Sequence, residues 1–217
     1  MKKFELTAEF VTNVFGKKLF RIKALVAFGD VEKGELGGFI EKEDNLSHDG
    51  NAWVYGNARV FGNAQVYGNA RVSGNARVYG NAQVYGNAWV FGNAQVYGNA
   101  RVSGDAWVYG NAWVSGDARV SGNAQVSGDA RVYGNARVYD AADYAVVKGF
   151  GRCFRTTTFF RCKDKILRVQ CGCFYGDLAQ FREIVKKTHG DSKYAKEYLA
   201  IADLMELHFS DECGGEQ

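Results

Sequence analysis

Valine recurs at position 54 and then at every sixth residue to position 138, fifteen times without a miss. Alanine stands two residues before each of these valines, from Ala52 to Ala136, and glycine two after each until Asp140 breaks the run. Asn or Asp follows each of those glycines, so the unit reads A-x-V-x-G-N. A strict period of this kind decides the architecture before local propensity does. Alternation sends Ala and Val to one face of a short strand and the two variable residues to the other. Gly-Asn makes a corner, because Gly accepts positive φ freely and Asn and Asp are the next most tolerant residues. With a corner every six residues, no strand is long enough to pair well with its sequence neighbour. Stacking solves the pairing. If three units close into a triangular turn of eighteen residues, each strand pairs with the strand one turn on, about 4.8 Å away. Ala and Val then fill a narrow interior, and fifteen units give about five turns in a prism roughly 24 Å tall.

The repeat is similar to the hexapeptide repeat of left-handed parallel β-helix proteins. The lead-in FGDVEKGELGGFIEKEDNLSHDGNAWVYGNA, from Phe28 to Ala58, resembles the YdcK-like β-helix proteins of bacteria and prophages. This resemblance spans about the first 140 residues. It implies the left hand of the coil, which the spacing does not supply, and a fold rather than an activity. Many hexapeptide β-helices are acyltransferases. These are usually trimers, with a catalytic His, a projecting substrate loop and the acyl donor between subunits. That chemistry needs a general base beside the attacking group. Between Asn51 and Tyr139 the chain has neither a His nor an inserted loop, so His48 in NLSHDGN is the one candidate base. The plainer alternative for His48 is an ordinary polar loop residue. No Ser-His-Asp arrangement, phosphate loop or nucleotide fingerprint is present, and no cofactor is expected.

An eighteen-residue turn sorts the outward residues into three columns. Column A carries Trp53, Arg71, Trp89, Trp107 and Gln125, flanked by Tyr55, Ser73, Phe91, Tyr109 and Ser127. An exposed face of this kind is more apolar than a monomer ordinarily tolerates. Trp53, Tyr55, Trp89, Phe91, Trp107 and Tyr109 are therefore the expected interface, with simple aromatic laddering along the sheet as the alternative. Column B carries Arg59, Arg77, Gln95, Trp113 and Arg131. Column C places Arg101, Arg119 and Arg137 above one another. Three stacked like charges call for an anion, a nucleotide or a partner carboxylate, unless the side chains fan into water. Asp105, Asp117 and Asp129 fall at three different corners, and the remaining corner Asn residues can form amide ladders.

Charge is nearly balanced, with 27 Lys and Arg against 24 Asp and Glu, so the total does not announce a nucleic-acid binder. Its distribution marks a change of architecture. From Asn51 to Tyr139 the only charges are seven Arg and three Asp, whereas both flanks are rich in Lys and Glu. Residues 1–50 read as two strands about Asn13–Lys18 and a capping turn, with Phe28, Leu36, Phe39 and Ile40 as plugs for the open core. The β-helix is expected over 51–147, and a ββαα module over 152–210 before a disordered tail at 211–217. In that module Cys153–Arg161 and Lys165–Phe174 read as strands. Asp177 with Gln180 reads as a helix N-cap, and a second helix follows from about Ser192 with an apolar stripe through Tyr194, Tyr198, Ile201, Leu204, Met205 and Leu207. Cys162, Cys171 and Cys173 are candidate zinc ligands with Cys153 or His189 as a fourth, but their spacing lacks the paired CxxC of a zinc knuckle. Buried reduced thiols are the simpler expectation.

The N-terminus has no apolar leader, and no run of about 18 apolar residues occurs, so a cytoplasmic protein without a membrane segment is expected. The sequence thus points to a mainly β, non-catalytic scaffold that self-associates as a dimer or trimer or binds a protein partner, and that a phage or prophage could encode. An acyltransferase and a nucleotide- or polyanion-binding protein are the alternatives.

Overall fold

Each repeat contributes a two-residue strand, x-Val, and the fifteen strands stack in register with a period of eighteen residues. They run from β4 (Trp53–Val54) to β18 (Arg137–Val138). A computed structural model describes residues 1–210, and the tail expected at 211–217 lies outside the described residues. Columns A and C are five-stranded parallel sheets, and column B continues into the N-terminal strands β1 (Phe4–Thr12), β2 (Lys18–Ala24) and β3 (Leu36–Ile40). Pairs such as Trp89 with Trp107 and Arg101 with Arg119 lie directly opposite. Every Ala and Val of the repeat is fully buried. With β3 over column B and Leu46 bridged to Val66 over column C, a partial turn precedes the five regular ones.

The corners require glycine for two reasons. Gly86 has φ of +70°, and a Cβ there would lie 2.9 Å from the backbone nitrogen of Gly104 one turn on. The asparagines beside these corners form ladders of one polarity. Asn51 donates to Asn69, Asn69 to Asn87 and Asn87 to Asp105, at 2.9–3.2 Å. The other two ladders end on Asp117 and Asp129. A carboxylate only accepts, and it accepts with charge assistance, so each aspartate closes a run of amides that all donate forward.

Between turns the Ala carbonyls accept from the turn before: the Arg101 N–H donates to Ala118 O and the Trp107 N–H to Ala124 O. Carbonyls of the first turn therefore face the N-terminal end and need other donors. Asn45 Nδ2 donates to Gly62 O and Ala64 O, at 3.1 and 2.8 Å. Lys3 Nζ donates to Gly50 O and Ala52 O, at 3.2 and 2.9 Å. Above them β1 and β2 form an antiparallel hairpin, β2 pairs with β3, and β3 pairs in parallel with Arg59–Val60. Gly37 and Gly38 let β3 close on the core, since a Cβ at either would come within 2.6 Å of a first-turn carbonyl. Ile40, in register with Val60, is buried as a plug, but Phe39 is in register with the outward Arg59 and is buried with Leu19 against Phe61, and Leu36 is 53% exposed. Ile22 and Phe4, on the side of the hairpin that carries Ile40, are fully buried in its place.

The chain divides after Asp140. Past this point the Gly corners stop, and longer alternating strands become possible. Residues 144–147, expected as the end of the coil, belong instead to β19 (Tyr144–Phe150). With β20 (Arg155–Arg161), β21 (Leu167–Cys171) and β22 (Phe174–Asp177) it forms a four-stranded antiparallel sheet in sequential order. The module thus has two more strands than the ββαα expectation. The expected second strand splits at Gly172–Cys173, where Gly172 takes φ of +59°. Helices α1 (Leu178–His189) and α2 (Lys193–His208) follow, with Asp177 and Gln180 forming a reciprocal capping box and Ser192 capping α2. The core joins Phe159 and Val169 to Phe181, Val185, Tyr198, Ile201 and Met205. Leu207, placed in the buried stripe by sequence, is 72% exposed, and Tyr194 and Leu204 are also exposed. Ala195 and Ala202 are buried beside Tyr198, Ile201 and Met205, so small residues set the packing face.

Replacing Gly86 by Ala should destabilise the protein by about 1–3 kcal/mol, from left-handed strain together with the inter-turn contact. Gly128→Ala meets nothing within 4 Å and should lose only the strain part. Urea denaturation of the two variants would show them equal if the inter-turn approach were unimportant. Burial of Lys3 pushes its ammonium down to about 8, with Asp49 pulling the other way. The unfolded chain then binds more protons between that value and the ordinary 10.5, so stability rises with pH through this window. The advantage of the native chain over Lys3→Met should grow between about pH 7.5 and about pH 9.5 in thermal melts. A constant difference would contradict the assignment.

Candidate functional site

Regular corners hold the variable residues in fixed columns, so their chemistry depends only on which side chains become neighbours. In column A, Trp89 and Trp107 meet edge to face at 5.6 Å, and Phe91 stacks on Tyr109 at 4.9 Å with rings parallel. Phe91 also meets the edge of Trp107 at 6.1 Å. Trp89 Nε1 donates to Ser73 Oγ at 3.1 Å, which fixes the indole from the neighbouring turn. These four aromatics form one cluster, and Trp107 is its most open member, 39% exposed.

Trp53 does not belong to that face. The N-terminal segment covers the first turn, and Trp53 is fully buried against the edges of Phe4 and Phe28. Its indole nitrogen is buried without a hydrogen-bond partner. Tyr55 is also drawn to the N-terminal region. Its hydroxyl donates to Asp30 Oδ1 at 3.0 Å, and Arg71 reaches the same oxygen at 3.2 Å. Burial, then this contact with Asp30, raises the Tyr55 hydroxyl above its ordinary value.

Laddering also occurs on the other columns. Phe61, Tyr79 and Tyr97 stack in sequence at 5.0 Å, and Tyr67 stacks on Tyr85 at 4.9 Å. Self-stacking thus accounts for part of the aromatic content. Trp113 lies edge-on to Tyr97 and receives the Arg131 guanidinium over its ring at 4.6 Å.

In column C, Arg101, Arg119 and Arg137 are in register. Arg137 leaves the outward row: its Nη1 donates to the carbonyls of Asp117, Asn135 and Ala136 at 2.8–3.2 Å. Arg101 and Arg119 remain exposed as a pair, and among the described residues neither has an ion-pair partner. Arg101 lies close enough to Tyr67 to oppose the rise of its hydroxyl, which burial and Tyr85 raise.

His48 is engaged in the cap. Its Nδ1 accepts the backbone N–H of Lys3 at 3.2 Å, and its ring stacks on Phe4 at 4.3 Å. Nε2 lies 3.5 Å from Glu43, a carboxylate that Lys2, more than His48, holds below its usual range. The cysteines separate. Cys171 accepts from Thr157 Oγ1 at 3.2 Å, Cys173 lies exposed in the β21–β22 turn, and both line a cavity with Cys153 and His189. Cys162 is buried beside Tyr175, away from that cavity. Among the described residues no group of three or more His, Cys, Asp or Glu could hold a metal ion. None of these four cysteines is in a disulfide. No described helix is long and apolar enough to cross a membrane.

Sequence reasoning missed Lys3 and Asn45, the two side chains that occupy the open carbonyls. Asn45 had a signal, since it stands eighteen residues before Asn63 in the same corner phase. Lys3 had none.

The family model for the YdcK β-solenoid repeat matches residues 52–68, 64–80, 70–83, 82–96, 94–110, 112–128 and 130–142. No curated protein shows a significant match to the chain. The matched stretches follow the corners and inward Ala and Val positions of the coil, and residues 52–142 carry the YdcK β-solenoid repeat.

Proposed function

We propose that this chain is a non-catalytic scaffold, a stiff β-solenoid that self-associates through the aromatic cluster of column A. The observation that carries this reading is the cluster of Trp89, Phe91, Trp107 and Tyr109, with Trp107 left open to solvent. Aromatic side chains fixed by their neighbours lose little freedom on association, and Trp and Arg are common at interface hot spots. Arg101 and Arg119 extend the same logic to the adjoining column, where they suit a carboxylate-bearing partner better than a buried role. An acyltransferase finds less support, because the stacking and hydrogen bonding of His48 serve the cap. Cysteines outside any disulfide suit a reducing cytoplasm, and an accessory protein of bacterial or prophage origin fits the repeat family.

Sedimentation velocity on the full chain and on Trp107→Lys tests the proposal. The native chain should sediment as a dimer or trimer. The variant should associate at least about thirtyfold more weakly, as expected for a hot-spot residue, with an unchanged far-UV circular dichroism spectrum. A native chain that stays monomeric up to high micromolar concentration would overturn it.

A further inference from the structure

The C-terminal unit contains a cavity of about 450 Å³ that the scaffold reading does not use. Its size falls within the roughly 300–1,000 Å³ of small-molecule sites. In an antiparallel meander the β19–β20 and β21–β22 turns lie at the same end of the sheet. Together with α1 and α2 they enclose the space. Phe174 opens β22, and Phe181, Ile184 and Val185 come from one side of α1, so these walls are apolar, with Thr188 and His189 at the end of the helix. The first turn is fastened in place: the Gly151 N–H donates to Glu197 Oε2 at 2.8 Å, and the Tyr198 hydroxyl donates to Phe150 O at 3.4 Å. A Cβ at Gly151 would strike the Tyr198 ring, so only glycine allows this approach.

Charge at the mouth has one sign. Arg152 and Arg155 line it, and no carboxylate does. Among the described residues neither guanidinium has a hydrogen-bond or ion-pair partner. Glu197, the nearby carboxylate, is occupied by Gly151 and Lys193. An apolar interior beneath two unpaired guanidinium groups suits a molecule with a hydrocarbon body and a single anionic head.

We infer that this cavity binds a small amphipathic carboxylate, with its hydrocarbon body against Phe174, Phe181, Ile184 and Val185 and its carboxylate on Arg152 and Arg155. Cys153, Cys171 and Cys173 also line the space, which provides a second readout: a bound ligand shields these thiols from alkylation.

Isothermal titration of the full chain with decanoate and with decanol, below their aggregation limits, tests the inference. Decanoate should bind one to one, at least about tenfold more tightly than decanol, and should slow alkylation of Cys153 and Cys173 by iodoacetamide. Arg155→Met should weaken decanoate about tenfold or more and leave decanol unchanged. Ile184→Trp should abolish both by filling the cavity. Arg155 and Ile184 are exposed, so both variants should melt with the native chain. Absence of decanoate binding, equal affinities for the two probes, or decanoate binding that survives both substitutions would overturn the assignment.

Discussion

The hydrogen bond from each strand to the strand eighteen residues on is the interaction on which the rest of the structure depends. A two-residue strand has no stability of its own, and its Ala and Val bury little surface. Repetition in register converts these weak units into a continuous core in which each turn rests on its neighbours. Register also makes chemistry out of monotony. Once the turn is fixed at eighteen residues, Trp89 must meet Trp107 and Arg101 must stand beside Arg119, although each pair is far apart in sequence.

Direction follows from the same bonds. Because the Ala and corner Gly carbonyls of each turn accept from the turn before, those of the first turn are left open at the N-terminal end, and the chain supplies Asn45 and Lys3 to meet them. The corner amides repeat this polarity, with an aspartate as the final acceptor of each ladder. A lysine buried for this purpose sits where its charge is poorly solvated, which is why its ammonium is pushed down. His48, stacked on Phe4 and holding the Lys3 N–H, completes the closure and so has a structural reason to be where it is.

Within the repeat the fold was legible because each position recurs in one environment. The strands, the three columns and the amide ladders all follow from the period and from the conformations open to Gly and Asn. Legibility failed where translation symmetry ends. Trp53 occupies an outward position, but it lies in the first turn, where the hairpin folds over it. Arg137 occupies the last rung, where backbone carbonyls capture its guanidinium. Beyond Asp140 no period assists, and the short apolar runs suggest two strands where four form. The apolar cavity in that unit is assembled from two turns and two helices, so no local pattern announces it.

Trans-hydrogen-bond couplings in a uniformly labelled sample would test the eighteen-residue register without reference to side chains. The amide nitrogen of Arg101 should couple to the carbonyl carbon of Ala118, and that of Trp107 to Ala124, matching the N–H to carbonyl pairs of the coil. Couplings that join these amides to carbonyls of any other turn would dissolve the columns, and with them the aromatic cluster and the arginine pair.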